Sequence, residues 1–220
     1  MDLETVDKLL TTTRSVRRRL DLSRPVEPEI VEACLEIAIQ APTGGNRQGW
    51  HFLVITSAEK RARIGELYRE SFAIYAQSSA EQLPTQGQGE LYQQQRARVA
   101  KSAVYLAQHM GEVPVLIIPC IHGRVENMPP LAQASLYGSI LPAAWSLMLA
   151  LRARGLGSSW TTLHLRYEKE IAALLDIPDD VTQAALLPVA YYTGSDFHPA
   201  KRPPARDVTS WNSWGERRKP

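Results

Sequence analysis

Cysteine is almost absent from this 220-residue chain, which carries only Cys34 and Cys120. Both fall in apolar segments, one helix-like and one strand-like. Buried free thiols are therefore expected, and a disulfide framework is excluded. An excess of charge of one sign is also lacking. Twenty-five Lys and Arg against 23 Asp and Glu leave a formal charge of +2, too small to imply a nucleic-acid partner. The most apolar stretch, residues 131–151, is interrupted by Gln133, Ser135, Pro142 and Ser146, and it reads as a core helix rather than a membrane span. Residues 1–10 alternate charged and apolar side chains, unlike a signal peptide. A cytoplasmic protein with neither a nucleic-acid nor a membrane partner is the expectation.

Common catalytic equipment is missing too. There is no Gly-x-Ser-x-Gly elbow and no phosphate loop ending in Gly-Lys-Ser/Thr. Gly155-Leu156-Gly157 follows a helix and precedes a strand, the reverse of the order a dinucleotide fingerprint needs. His51, His109, His122, His164 and His198 have no zinc-ligand spacing. No nucleophile–base pair stands out, so neither a catalytic side chain nor a metal ligand is assigned. A chain of this size without acid–base groups suits a protein whose chemistry belongs to a cofactor.

What is present reads as one α+β domain over residues 1–220, helices packed on a small central mixed sheet of about four strands. Helical periodicity marks residues 4–11, a helix opening at Pro28 with Ile30, Ala33, Cys34 and Ile37 on one face, residues 58–75, 91–110, 131–154 and 167–175. Strands are expected over 51–55, 113–121, 158–163 and 182–192. The helix at 131–154 would be roughly 36 Å long, with Pro142 either kinking it or marking its true start. Residues 77–89, rich in Ser, Gln and Gly, read as a loop or lid. With 68–75 they are expected to wall the substrate.

Two polar stretches carry the functional signal. Residues 41–50, Ala-Pro-Thr-Gly-Gly-Asn-Arg-Gln-Gly-Trp, form a turn-rich loop between a helix and a strand. Thr43, Asn46 and Gln48 there offer donors and acceptors to a flat heterocycle, and the glycines allow close backbone approach. Arg14-Ser15-Val16-Arg17 places two guanidiniums and a hydroxyl within four residues, a set matched to phosphate oxygens. Lys201-Arg202 adds charge to an irregular, Pro-rich tail.

The order of these motifs resembles the FMN-dependent nitroreductase family. Arg14 to Arg17 come early, then Ala41-Pro42-Thr43 with Asn46, Gln48 and Trp50. Leu149-Ala150 leading to Gly155-Leu156-Gly157-Ser158 follow, then Leu175-Asp176-Ile177-Pro178 and finally Lys201-Arg202. The resemblance implies a homodimer with two FMN sites and a long dimer-core helix through Trp145. It implies that Arg14, Ser15, Lys201 and Arg202 hold the phosphate and that Arg17 lies at the pyrimidine edge. Pro42, Thr43 and Gly44 would come from the partner subunit, with Asn46 and Gln48 nearby, and Thr161, Thr162 and Leu163 would run past the ring. Thr13, Gly49 and Ser146 depart from the residues usual in that family. The implied activity is electron transfer from NADH or NADPH to a small-molecule acceptor such as a nitroaromatic or quinone. The Thr161-Thr162 pair resembles the dehalogenating branch more, which leaves reductive dehalogenation or flavin destruction as an alternative, and an FMN-binding protein without turnover as another.

Overall fold

The computed structural model describes residues 2–81, 90–195 and 197–218, with side chains omitted for 79–81 and 90–95. Contacts divide it into two units, residues 13–194 and a smaller one built from 1–12 with 195–220. In the larger unit the helices are α2 (Pro28–Ala38), α3 (Ala58–Glu81), α4 (Glu90–His109), α5 (Pro130–Ala153) and α6 (Glu168–Leu175). The strands are β1 (Trp50–Ile55), β2 (Val115–His122), β3 (Leu156–Ser158), β4 (Val181–Gln183) and β5 (Leu187–Tyr191). The strands form a single sheet in the order β1-β2-β5-β3, with β4 also pairing β2. The α+β expectation holds. Every pairing of these strands is antiparallel, so the parallel pair that a mixed sheet would include is not among the described strands.

Alternation along β2 explains how the sheet is covered. Val115 and Ile117 join one core cluster with Val31, Cys34 and Ala38 of α2, Leu147, Met148 and Leu151 of α5, and Leu187 and Val189 of β5. Leu116 and Ile118, pointing the other way, are equally buried. Both cysteines are buried and free, and burial pushes the Cys120 thiol up to about 12. Among the described helices α5 alone is long and apolar enough to cross a membrane, but its C-terminal half packs into this cluster. Its exposed large apolar side chains are Leu131, at 83% exposure, Tyr137 and Trp145. Pro130 rather than Pro142 begins the helix, which continues through Pro142.

Two expected strands differ in the structure. The segment expected over 182–192 is split into β4 and β5 by a bulge. Residues 184–186 stand opposite only residues 118 and 119 of β2. Pro119, which has no N–H to give the ladder, lies at that point and accepts from the Ala184 N–H instead. The strand expected over 158–163 starts earlier, at Leu156, and extends only to an isolated bridge between Thr161 and Leu186. Leu163 already opens a 3₁₀ turn, Leu163–Tyr167. The expected loop at 77–89 is also corrected, because α3 runs on to Glu81. Residues 82–89 lie outside the described residues.

The smaller unit contains α1 (Leu3–Thr12) and the tail. The tail is more ordered than its Pro content suggests. Arg217 donates to the carbonyls of Arg206, Thr209 and Asp207, and Trp211 and Glu216 close a short backbone loop. Trp214 at its tip is fully exposed.

Candidate functional site

The Arg14–Arg17 segment is fixed to the sheet edge by backbone. The Val16 N–H donates to the Ser158 carbonyl at 2.8 Å, Leu20 bridges Tyr192, and the Asp21 N–H donates to the Tyr191 carbonyl at 2.7 Å. Val16 is buried, while Arg14 and Ser15 on its N-terminal side are exposed. Gly157 permits this approach. A Cβ there would lie 2.9 Å from the Val16 Cβ and within 3.1 Å of both its methyl groups, closer than packed carbons tolerate.

Arg17 points the other way, into the protein. Its guanidinium donates to the Ser102 hydroxyl of α4 at 3.4 Å. Burial lowers its pKa from the ordinary value, opposed by the nearby Tyr68 phenol. Among the described residues no carboxylate pairs with it. Tyr68, on α3 and itself buried, shares a 2.9 Å hydrogen bond with the Thr161 hydroxyl. One turn later on α3, buried Ser71 donates to the Leu163 carbonyl at 2.6 Å. Thr161 also exchanges both backbone hydrogen bonds with Leu186 at 3.2 and 2.8 Å. Arg17, Thr161 and Leu163 are thus gathered around one face of α3. Thr161 has its amide and hydroxyl engaged, whereas Thr162 is exposed.

The other predicted stretch lies elsewhere on the chain. Thr43, Gly44 and Gly49 line a cleft of about 630 Å³ with His122, Arg124, Ser135, Ser139 and others, and none of Arg14, Ser15, Arg17 or Thr161 borders it. The Gly44 N–H donates to the Ser139 hydroxyl of α5 at 2.9 Å. The Gln48 N–H reaches the Thr43 hydroxyl, and its side-chain amide donates to Asn46. Asn46 and Gln48 both hold positive φ, 53° and 51°. That conformation is uncommon outside glycine, and Gln lacks the local propensity that Asn has for it. Pro42 is exposed beside this loop. Lys201 and Arg202, also exposed, belong to the smaller unit. The wall expected at 68–75 is corrected in part: Tyr68 and Ser71 are buried, and Ile74 and Tyr75 are exposed.

The α3 anchors are what sequence reasoning missed. A buried serine three residues after a tyrosine, on an otherwise apolar helix face, is the signal that could have found them.

With this geometry in view, the comparisons with known proteins decide the family. The sequence profile of the Nitroreductase family matches residues 10–191. The chain belongs to the nitroreductase family. A protein of Methanothermobacter thermautotrophicus, provisionally named NADH dehydrogenase/NAD(P)H nitroreductase, is 23% identical over 203 residues, covering 90% of this chain and 80% of that protein. Two solved structures share the fold. An iodotyrosine deiodinase bound to FMN and 3-iodo-L-tyrosine aligns with a TM-score of 0.69 at 21% identity, covering 94% of this chain and 98% of that one. An FMN-dependent nitroreductase of Mycobacterium smegmatis in complex with NADPH aligns at 0.67 and 18% identity, covering 96% and 99%. The nitroreductase-family chain therefore has the nitroreductase-like fold expected from its motifs.

Proposed function

We propose that this chain binds FMN and passes electrons from NADH or NADPH to a small organic acceptor such as a nitroaromatic or quinone. The observation that carries the reading is the half-buried Arg17 guanidinium, beside a hydroxyl and a phenol but with no carboxylate partner among the described residues. A cation held in that way suits an anionic ligand edge. The exposed Arg14 and Ser15, on a segment tied to β3, fit a phosphate. In this reading Arg14 and Ser15 hold the phosphate, Arg17 faces the pyrimidine edge, and Thr162 and Leu163 line the ring. FMN, when bound, supplies the redox chemistry that the side chains lack. The chain contributes binding, orientation and a positive charge.

The separation of the Thr43–Gln48 loop from the Arg17 group supports a homodimer in which Pro42, Thr43, Gly44, Asn46 and Gln48 approach the FMN of the other subunit. The exposed Leu131, Tyr137 and Trp145 of α5 support the same assembly, since a lone chain would leave them in water. Light scattering at micromolar concentration should give twice the chain mass. A stable FMN-loaded monomer would remove this part of the proposal.

Purified protein should take up FMN, and the flavin band should bleach when NADH or NADPH is added without oxygen. Arg14→Ala should weaken FMN retention by about 1.5–3 kcal/mol, the value of a charge-assisted hydrogen bond. Arg18→Ala, an exposed arginine in the same cluster, should leave it unchanged. Equal affinities in a fluorescence titration would sink the phosphate assignment. Reductive dehalogenation is a second reading, favoured by Thr162, which is exposed where a ligand could meet its hydroxyl. Turnover of a halogenated phenol with none of a nitroaromatic would select it.

A further inference from the structure

We infer that Tyr68 is a positioning residue, one that sets the 161–163 segment against Arg17 and thereby fixes how that segment meets the cofactor. The inference rests on the FMN reading above and goes beyond it, because Tyr68 itself lies under the site, buried in α3.

Little else holds the segment. Between the end of β3 at Ser158 and the 3₁₀ turn at Leu163, the main chain is bonded to the sheet only through the bridge of Thr161 with Leu186. That bridge continues the register of β3 with β5, in which Leu156, Gly157 and Ser158 face Tyr191, Ala190 and Val189, after two residues, Ser159 and Trp160, that leave the ladder. A single bridge fixes the position of a strand end but leaves it free to pivot. The two contacts from α3 remove the pivot. The Tyr68 hydroxyl holds the Thr161 side chain at 2.9 Å, and the Ser71 hydroxyl holds the Leu163 carbonyl at 2.6 Å. Residues three apart on a helix share a face, so the two anchors act along one line and Thr162 is suspended between them, exposed.

Tyr68 also lies close enough to the Arg17 guanidinium for the two to interact electrostatically. One buried phenol is thus hydrogen-bonded to the 161–163 segment and lies near the guanidinium of Arg17, 144 residues before Thr161 in sequence. Packing alone would not need the hydroxyl. A phenylalanine would fill the same apolar space and leave the Thr161 hydroxyl unsatisfied.

The test is a double-mutant cycle on the FMN-loaded and FMN-free protein. Tyr68→Phe should weaken FMN binding by about 5-fold, the effect of one neutral hydrogen bond, and change the shape of the visible flavin band. In the FMN-free protein it should speed backbone amide exchange across residues 161–165. Thr161→Val should do the same, and Thr161→Ser, which keeps the hydroxyl, should restore wild-type behaviour. Combining Tyr68→Phe with Thr161→Val should be no worse than either alone, since both remove one contact. Additive losses, or a Tyr68→Phe protein with lower thermal stability but wild-type FMN affinity, flavin band and exchange at 161–165, would overturn the inference while leaving the FMN reading intact. Wild-type protein that takes up no FMN would remove that reading, and this inference with it.

Discussion

Gly157→Val should be the most damaging single substitution near the site. A Cβ at this position meets the Val16 Cβ at 2.9 Å and its two methyl groups at 3.0 and 3.1 Å, and valine adds two further carbons to that clash. Val16 has little room to retreat. It is 4% exposed, and its N–H is committed to the Ser158 carbonyl, one residue beyond Gly157. Relief requires either opening the edge of the sheet or pushing residues 14–17 outward, and overpacking of this kind costs about 1–3 kcal/mol. Urea unfolding should place Gly157→Val at the upper end of that range. If the segment moves, Arg14, Ser15 and Arg17 move with it, so FMN affinity should fall by at least about 10-fold, a further 1.4 kcal/mol. A variant of wild-type stability and wild-type flavin affinity would show that the 14–17 segment is not held where these distances put it.

The second large effect should come from acid. His164 is fully buried in the 3₁₀ turn just past the 161–163 segment, and neither ring nitrogen has a hydrogen-bond partner among the described residues. Burial disfavours the imidazolium and pulls its pKa down from the usual 6.5 to about 3. The sign follows directly. Between these two values the unfolded chain binds the proton and the folded chain does not, so stability is complete above about pH 6.5 and lost progressively as the pH falls toward 3. The slope is half its limit at pH 6.5 and approaches about 1.4 kcal/mol per pH unit below it, so lowering the pH from 6.5 to 4.5 should remove about 2 kcal/mol through this one residue. His164→Phe keeps a ring of similar size and removes both unsatisfied nitrogens. Its unfolding free energy should depend less on pH than that of wild type by that amount. Parallel pH profiles for the two proteins would rule out His164 as a source of acid sensitivity.

Sequence patterns revealed the elements better than the joints between them. The apolar run of β2 predicted the core that Val115 and Ile117 join, because burial is a property of a single segment. The face expected of α2 is turned in the structure: Val31, Cys34 and Ala38 are buried, whereas Ala33 and Ile37 of the expected Ile30, Ala33, Cys34 and Ile37 set are exposed. The bulge at 184–186 was illegible. It depends on how β2 and the last strand count against each other, and nothing local distinguishes Ala184 and Ala185 from ordinary strand residues. The extra length of α3 was hidden for a related reason. Gln and Ser read as loop, yet both continue a helix that is already nucleated. At the site, Arg17 and Thr161 are legible from motifs, whereas Tyr68 falls within the 68–75 stretch read as a substrate wall. Its role as the partner of Thr161 is not legible, because a single helix does not show which residue lies opposite its hydroxyl.

The bulge also makes one stretch of this chain intolerant of a change in length. Surface connections accept insertions and deletions because their ends can stay where they are. Residues 181–191 cannot behave in that way, since β4 and β5 are both paired to the same strand on either side of the surplus residue. Removing Ala185 would even out the count and let residues 181–191 pair with β2 as one uninterrupted strand. The Ala184 carbonyl would then face Pro119, which has no N–H to give it, so the ladder would close around a missing bond. Among proteins descended from a common ancestor with this chain, the spacing between β4 and β5 should therefore change only where the residue matching Pro119 has changed as well.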